Sequence, residues 1–336
     1  MNEQLRVWAP GRVNLIGGHS DYSGGLVLPM AVDLGTQIIG HRGHERVVLV
    51  SRDEAEPAEI ALDVSDPASV TPSWARYVAG VVAEVAPTTG FIGQVSTTIP
   101  IGTGLSSSAA LEVAVALALV GDDRIDRRAL ALACQRAEHR ASGVPCGIMD
   151  QFASLLGVDG HAILIDCTTL EVTPVALPDD VAVVVVDSGQ RRSLATVGYA
   201  DRRAEVARAA DILGHLPTAA LTDVEALDDP VARKRARHVV TENQRVRDFV
   251  SALAKGDIAT VGMLMTESHI SLRDNQEVTT PALDSLVDRL NAIPGVHGAR
   301  LTGGGWGGCV VALTDPGVLD EGWTVRASAG ATVEVV

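Results

Sequence analysis

The sequence predicts an α+β protein of two domains, and three features of the chain point to it. Its 336 residues are about two domains' worth of polypeptide, enough to bury a substantial core. Over the first half, apolar runs of strand length alternate with Ala- and Leu-rich helical segments. Near residues 180–190 this mixture gives way to mostly helical sequence, which sets a boundary between residues 1–180 and 181–336.

Residues 6–9 and 46–51 read as strands, the second with the buried run Val47, Val48, Leu49, Val50. Residues 94–98 alternate as a strand and deliver Pro100 and Gly102. From Ser106 to Val120 the residues are mostly Ala, Leu and Val around Glu112, a buried helix opening on serines, which are good N-caps. Residues 127–142 form a second helix with Leu130, Ala133, Cys134, Ala137 and Ala141 on one face. Residues 181–186 are the cleanest buried strand, four consecutive valines among them. Helices are expected over 202–213, 231–254 and 258–268, and strands over 298–301 and 309–313.

Hydrophobic residues make up 46 % of the chain and aromatics 3 %, so the core must rest on Val, Leu, Ala and Ile. A formal net charge of -15 argues against non-specific binding to nucleic acid or an anionic membrane. It leaves room for a small anion, because glycine-loop amides and helix ends bind phosphate whatever the global charge. Cys134, Cys146, Cys167 and Cys309 are widely spaced, which suits reduced, buried thiols rather than disulfides or a zinc site. Residues 1–10 have no apolar signal region, and no run approaches the ~18 apolar residues of a membrane span. A soluble cytoplasmic protein is expected, as a monomer or weak homo-oligomer.

Between Ala9 and Pro29 the chain reads A-P-G-R-V-N-L-I-G-G-H-S-D-Y-S-G-G-L-V-L-P. Arg12 is followed by an apolar step and then by His19, Asp21 and Tyr22, set between the pairs Gly17-Gly18 and Gly24-Gly25. Glycines let backbone approach a ligand closely, and the polar residues between them can read hydroxyl groups. Taken alone, the segment is equally a polar hairpin loop. Downstream, Pro100 leads into Gly102, Thr103, Gly104, Leu105 and the serines 106, 107 and 108, between a strand and a helix. Free N–H groups and the positive end of a helix dipole make such a place an anion site. It is neither a Walker A loop, lacking Gly-Lys-Ser/Thr, nor a dinucleotide fingerprint, since Ser107 takes the third glycine position.

With the third glycine-rich segment, Leu301 to Cys309, these two segments resemble the three motifs of the GHMP small-molecule kinases, and within them the galactokinases. Further likenesses follow in the family's order at residues 143–151, 164–167 and 267–274. The resemblance implies a first domain like ribosomal protein S5 and a ferredoxin-like second domain. It also implies transfer of a phosphoryl group from ATP to the anomeric C1 hydroxyl of galactose or a galactose-like sugar, with magnesium as cofactor.

It places the ATP phosphates on residues 102–108, Trp74 near the adenine, and Ser108 and Glu138 on magnesium, an oxygen-rich pair of the kind that ion prefers. On the residues alone, a solvated helix charge is the commoner explanation of Glu138, and Trp74 is equally a core residue. Asp150, in an apolar surround where an unpaired carboxylate is costly, matches the group beside the attacking hydroxyl. Arg12 would lie nearby and stabilise developing charge. An arginine so close favours the ionised carboxylate, so base and orienting group both stay open. Arg191, with Arg192 beside it, matches a second arginine that pairs with this aspartate. His19, Asp21, Gly147 and Tyr199 match positions that hold the sugar. Gly303, Gly304, Gly305, Gly307 and Gly308 match a loop closing over substrate.

Two departures stand out. Galactokinases normally carry Glu where this chain has Gly18, and that glutamate contacts the sugar around C6. Losing one acceptor there costs on the order of 1–3 kcal/mol, about ten- to a hundredfold in affinity. Gly18 also makes room, so a C6-altered sugar such as arabinose or galacturonate is the second reading. After Val311 the chain lacks the helix that galactokinases insert before the final strand, leaving residues 323–327 and 331–336 as short strands. A sugar- and ATP-sensing regulator is the non-enzymatic alternative, although Asp150 and the serines of the phosphate loop are in place.

Overall fold

The computed structural model describes residues 3–100, 102–122, 125–191 and 195–336. Its first part comprises β1 (Gln4–Ile16), β2 (Leu26–His44), β3 (Arg46–Ser51), β4 (Ala58–Ala61), α1 (Ala75–Val85) and β5 (Gly90–Thr97). Helices α2 (Ser107–Val120), α3 (Arg127–Ser142) and α4 (Met149–Leu156) follow, then β6 (His161–Asp166) and β7 (Val172–Ala176). Strand β8 (Ala182–Asp187) opens the second part. It continues through α5 (Ala195–Leu213), the short α6 (Leu221–Glu225), α7 (Pro230–Ala254), α8 (Ile258–Ser271) with a π-helical turn (Leu272–Gln276), and α9 (Pro281–Asn291). Strands β9 (Val296–Thr302), β10 (Cys309–Thr314), β11 (Trp323–Val325) and β12 (Thr332–Val335) close the chain.

The larger sheet has the order β12-β1-β2-β5-β3-β4, with β6 on the first residues of β2 and β7 beyond it. The smaller sheet is antiparallel, in the order β11-β8-β10-β9. The expected division at 180/181 falls just before β8, but the closing strand does not stay with residues 181–336. β12 pairs with β1, Val333 opposite Val7 and Val335 opposite Leu5, and so covers an edge that would otherwise be open.

Helices α1 to α4 pack over the larger sheet around Val7, Ile38, Phe91, Val113, Leu117 and Phe152. A second core joins the two parts: Ile16, Leu28 and Met30 of the β1–β2 hairpin meet Val183, Val185, Phe249, Met265 and Val311. The alternate valines of β8, Val184 and Val186, face a third core with Leu283, Leu290 and Leu301. A strand covered on both faces reads as a continuous apolar run, which is why residues 181–186 stood out.

The helix over 127–142 has the expected bounds. The Asp126 side chain accepts from the N–H groups of Arg128 and Ala129, and Gly143 ends it in the left-handed conformation. The serine cap expected for α2 is absent. Ser106 stands at the N-cap position with φ +60°, and its hydroxyl makes no capping bond. The first N–H groups of α2 are therefore not claimed by that side chain.

Candidate active site

The segment from Ala9 to Pro29 is the closed end of the β1–β2 hairpin, with residues 17–25 as the connection. The approach to the phosphate loop is close. The Arg12 N–H donates to the Leu105 carbonyl at 3.1 Å, and a Cβ on Gly11 would stand 2.5 Å from that same oxygen. Arg12 is thereby pressed onto the loop, where its Nη1 donates to the Gly104 carbonyl at 2.6 Å. Its Nε and Nη2 form a fork on Asp150, donating to Oδ1 and Oδ2 at 2.7 Å each. Ser106 Oγ also donates to Asp150 Oδ2. Two residues separated by 138 positions thus meet at the phosphate loop, with Arg12 only 4 % exposed.

Gly102 and Gly104 have φ of +80° and +82°, a conformation that favours glycine. Thr103 and Leu105 are buried: the threonine hydroxyl donates to the Pro100 carbonyl at 2.7 Å, and Leu105 packs in the core between the two parts. That leaves Gly102, Gly104, Ser106, Ser107 and Ser108 facing the cavity. Ser108 Oγ donates to Glu138 Oε1 at 3.0 Å. The other oxygen of Glu138 accepts from Gln151 Nε2 at 2.7 Å and from Cys146 Sγ at 3.4 Å. Burial and the nearby Asp150 charge push the Glu138 carboxyl above its ordinary range. No ion pair reaches it among the described residues. A half-buried carboxylate with no ion pair among the described residues, next to a hydroxyl and a phosphate loop, fits a divalent cation.

At the other end, Asp21 is half-buried against Gly147, where an added Cβ would collide with its carboxylate. Burial, and then the charge of Asp150, raise its carboxyl to about 6. His19 has both ring nitrogens engaged: Nε2 donates to the Gly304 carbonyl at 3.1 Å, which leaves Nδ1 to accept from the Tyr22 hydroxyl at 2.9 Å. Its ring lies 5.4 Å from Tyr199 and 6.4 Å from Trp306. Tyr199 in turn lies over Gly304, and burial pushes its phenol well above the usual range. At Gly305 (φ +89°) a side chain would strike the Val278 carbonyl, so the glycine-rich segment is a tight turn fastened to the second domain.

Gly18 does not leave empty space. A Cβ there would stand 2.5 Å from Nη2 of Arg300, a buried guanidinium whose Nε has no partner among the described residues. The room expected from the missing side chain is filled by that cation. Beneath the segment, Glu242 Oε1 accepts from the N–H groups of Gly17 and Gly18 at 2.9 and 3.2 Å and from Ser268 Oγ at 2.5 Å. Burial opposes the charge on Glu242, but Arg245, His238 and Arg300 outweigh it and hold the carboxyl at about 2. His238 Nε2 donates to the Gly18 carbonyl at 2.8 Å, so Nδ1 accepts from Ser271 Oγ at 2.9 Å.

Arg12, Asp21, Ser108, Glu138, Asp150 and Tyr199 face one cavity of about 460 Å³, whereas Glu242, His238 and Arg300 are not among its lining residues. Tyr77, Ser142 and Val144 are shared with an adjoining cavity of about 380 Å³ that Trp74 lines. Trp74 is 9 % exposed, packs in the first core, and donates from Nε1 to the Glu56 carbonyl at 3.1 Å. Arg191 lies at the rim, its Nη1 next to Gly102, whereas the ion pair of Asp150 is with Arg12. Arg192 lies outside the described residues. Sequence reasoning missed Tyr77, Gln151, Glu242 and His238. Tyr77 carried the one available signal, three residues after Trp74 on the same helix face.

Residues 76–158 match the GHMP kinases N terminal domain, residues 249–323 the GHMP kinases C terminal family, and residues 2–42 the galactokinase galactose-binding signature. The chain is 45 % identical over 329 residues to galactokinase of Homo sapiens, covering 93 % of this chain and 84 % of that one. It is 42 % identical over 338 residues to galactokinase of Haemophilus influenzae, covering 95 % and 87 %. Among solved structures it is similar to Lactococcus lactis galactokinase complexed with galactose, with TM-score 0.90, 30 % identity and coverage of 98 % and 95 %.

Proposed function

The chain belongs to the galactokinase family of the GHMP kinases, and we propose that it transfers the γ-phosphoryl group of ATP to the anomeric C1 hydroxyl of galactose, giving the α-sugar 1-phosphate. The carrying observation is the Arg12–Asp150 fork, which, with Arg12 on the Gly104 carbonyl and Ser106 on Asp150, brings the hairpin segment, α4 and the phosphate loop together in one cavity. Phosphoryl transfer needs positioning and charge stabilisation more than covalent help from the protein. ATP phosphates lie along Gly102, Gly104 and the serines at the start of α2, with Trp74 and Tyr77 beside the adenine in the adjoining cavity. Asp21 and the Gly147 backbone hold sugar hydroxyls, with Tyr199 and the ring of His19 closing that side.

Asp150 receives the hydrogen of the attacking hydroxyl. Its Oδ2 is occupied by Arg12 and Ser106, whereas Oδ1 takes, among the described residues, only the Nε–H of Arg12 and keeps a lone pair. Whether that lone pair removes the proton or only aims the oxygen, Arg12 spreads the charge that develops between sugar, Asp150 and phosphate. Ser108 and Glu138 are the residues that would hold magnesium, which when bound neutralises phosphate charge.

Replacing Asp150 with Ala should lower kcat by about 10²- to 10⁴-fold while ATP binding persists in a fluorescent-nucleotide titration. An active Asp150→Ala enzyme would refute the assignment. A panel of galactose, arabinose and galacturonate as phosphoryl acceptors tests the substrate. The second reading, a C6-altered sugar such as arabinose or galacturonate, rests on Gly18, and galactose as clearly the best acceptor removes it.

A further inference from the structure

We infer that Gln151 is a positioning residue for the metal end of this site: anchored by the buried Glu112, its amide sets the orientation of the Glu138 carboxylate. Gln151 follows Asp150 on α4 and is fully buried, as is Glu112 on α2. A primary amide nitrogen carries two hydrogens and no charge. Here one goes to Glu112 Oε2 at 2.9 Å and the other to Glu138 Oε2 at 2.7 Å. The two acceptors are carboxylates, so the amide has one orientation that satisfies both. Its other end lies on Glu112, which is fully buried in α2.

Glu138 is consequently held from two sides. Gln151 and Cys146 take Oε2 on the buried side, and Ser108 Oγ takes Oε1 on the side of the phosphate loop. Without the amide, the carboxyls of Glu112 and Glu138 would face one another with no ion pair to either among the described residues, and mutual repulsion would turn Glu138 away from Ser108. Three helices converge on this one side chain: α2 begins at the phosphate loop, α3 carries Glu138, and α4 carries Asp150. Residues behind a metal ligand tune its orientation and affinity, and losing one typically costs about ten- to a hundredfold.

The inference rests on the reading of Glu138 and Ser108 as the magnesium pair, so the experiment separates the two. Free Mn²⁺ is measured by electron paramagnetic resonance against the full-length enzyme with ADP, for the parent protein and for Gln151→Met, Gln151→Asn and Glu138→Ala. Both Gln151 variants should weaken Mn²⁺ by about ten- to a hundredfold with the KM for galactose unchanged. Gln151→Asn keeps an amide but falls a methylene short, so it serves if Gln151→Met does not fold. Normal Mn²⁺ affinity in folded Gln151 variants, with Glu138→Ala impaired, overturns the positioning role alone. Normal affinity in Glu138→Ala overturns the magnesium pair as well.

Discussion

Arg12 is a fork with three of its N–H groups already committed, two to Asp150 and one to the Gly104 carbonyl. Lysine supplies the charge but not the planar geometry. Arg12→Lys should therefore lower kcat by about 10²- to 10³-fold, the range for losing a preorganised donor, and shift the KM for ATP much less; steady-state kinetics with each substrate varied decides it. Asp21 sets a pH dependence. Its folded pKa is raised from 3.8 to about 6, so the fold favours the protonated acid. That contribution to stability is present below pH 3.8 and is lost as pH rises through about 6. A sugar that donates hydroxyls to the ionised form offsets the loss, so the KM for sugar should rise as pH falls below about 6, by up to about tenfold per unit. The KM profile of Asp21→Asn should be flat across the same window; a parallel rise in the variant would assign the effect elsewhere.

At the scale of elements, the site depends on where α4 starts. Gly147 precedes α4 by two residues and touches the carboxylate of Asp21 on the hairpin connection, with no room for a Cβ. Gly147→Ala must displace Asp21, the start of α4, or both. A loss of about a hundredfold in kcat/KM for the sugar is expected, with the KM for ATP retained, and kinetics at saturating ATP checks it. The elements differ in how plainly the sequence announced them. The strand over 46–51 and the helix over 127–142 were legible because their patterns are uninterrupted and the helix has Asp126 and Gly143 as stops. β2 runs 19 residues yet was not read as a strand, because Pro29, Gly35, Gly40 and Gly43 break its pattern; tertiary pairing with β1 and β5 overrides them. α4 was invisible, with eight residues and no side-chain cap. Arg12, Asp21, Glu138 and Asp150 were legible through family motifs. Gln151, Glu242 and His238 were not, since a buried polar residue acquires its role only from partners brought by other helices.

For the molecule as a whole, the connection over residues 17–25 is supported from the second domain, and this ties acid stability to the candidate site. His238 and Glu242 on α7 reach across to the carbonyl of Gly18 and the N–H groups of Gly17 and Gly18. Burial first, and then Arg245 and Arg300, lower His238 from 6.5 to about 4, with Glu242 opposing. The imidazole is accordingly neutral in the fold, with its one hydrogen on Nε2. A histidine with a depressed pKa contributes stability above its unfolded pKa and loses it as pH falls through the folded one. Between pH 6.5 and 4 the unfolded chain gains a proton at this site that the folded chain resists, a slope of about 1.4 kcal/mol per pH unit. Glu242, held at about 2 against 4.5, gives up its contribution only at lower pH. His269 is lowered too, with burial the main cause, so the total slope belongs to more than one group and only a difference isolates His238. Urea unfolding of the parent and of His238→Gln at half-unit steps from pH 7 to 4 should show a stability gap that narrows by about 3 kcal/mol across the window. Gln keeps a donor for the Gly18 carbonyl and cannot titrate. A gap that stays constant with pH would mean that His238 has the same pKa folded and unfolded, and that the contact under Gly18 does not set the acid stability.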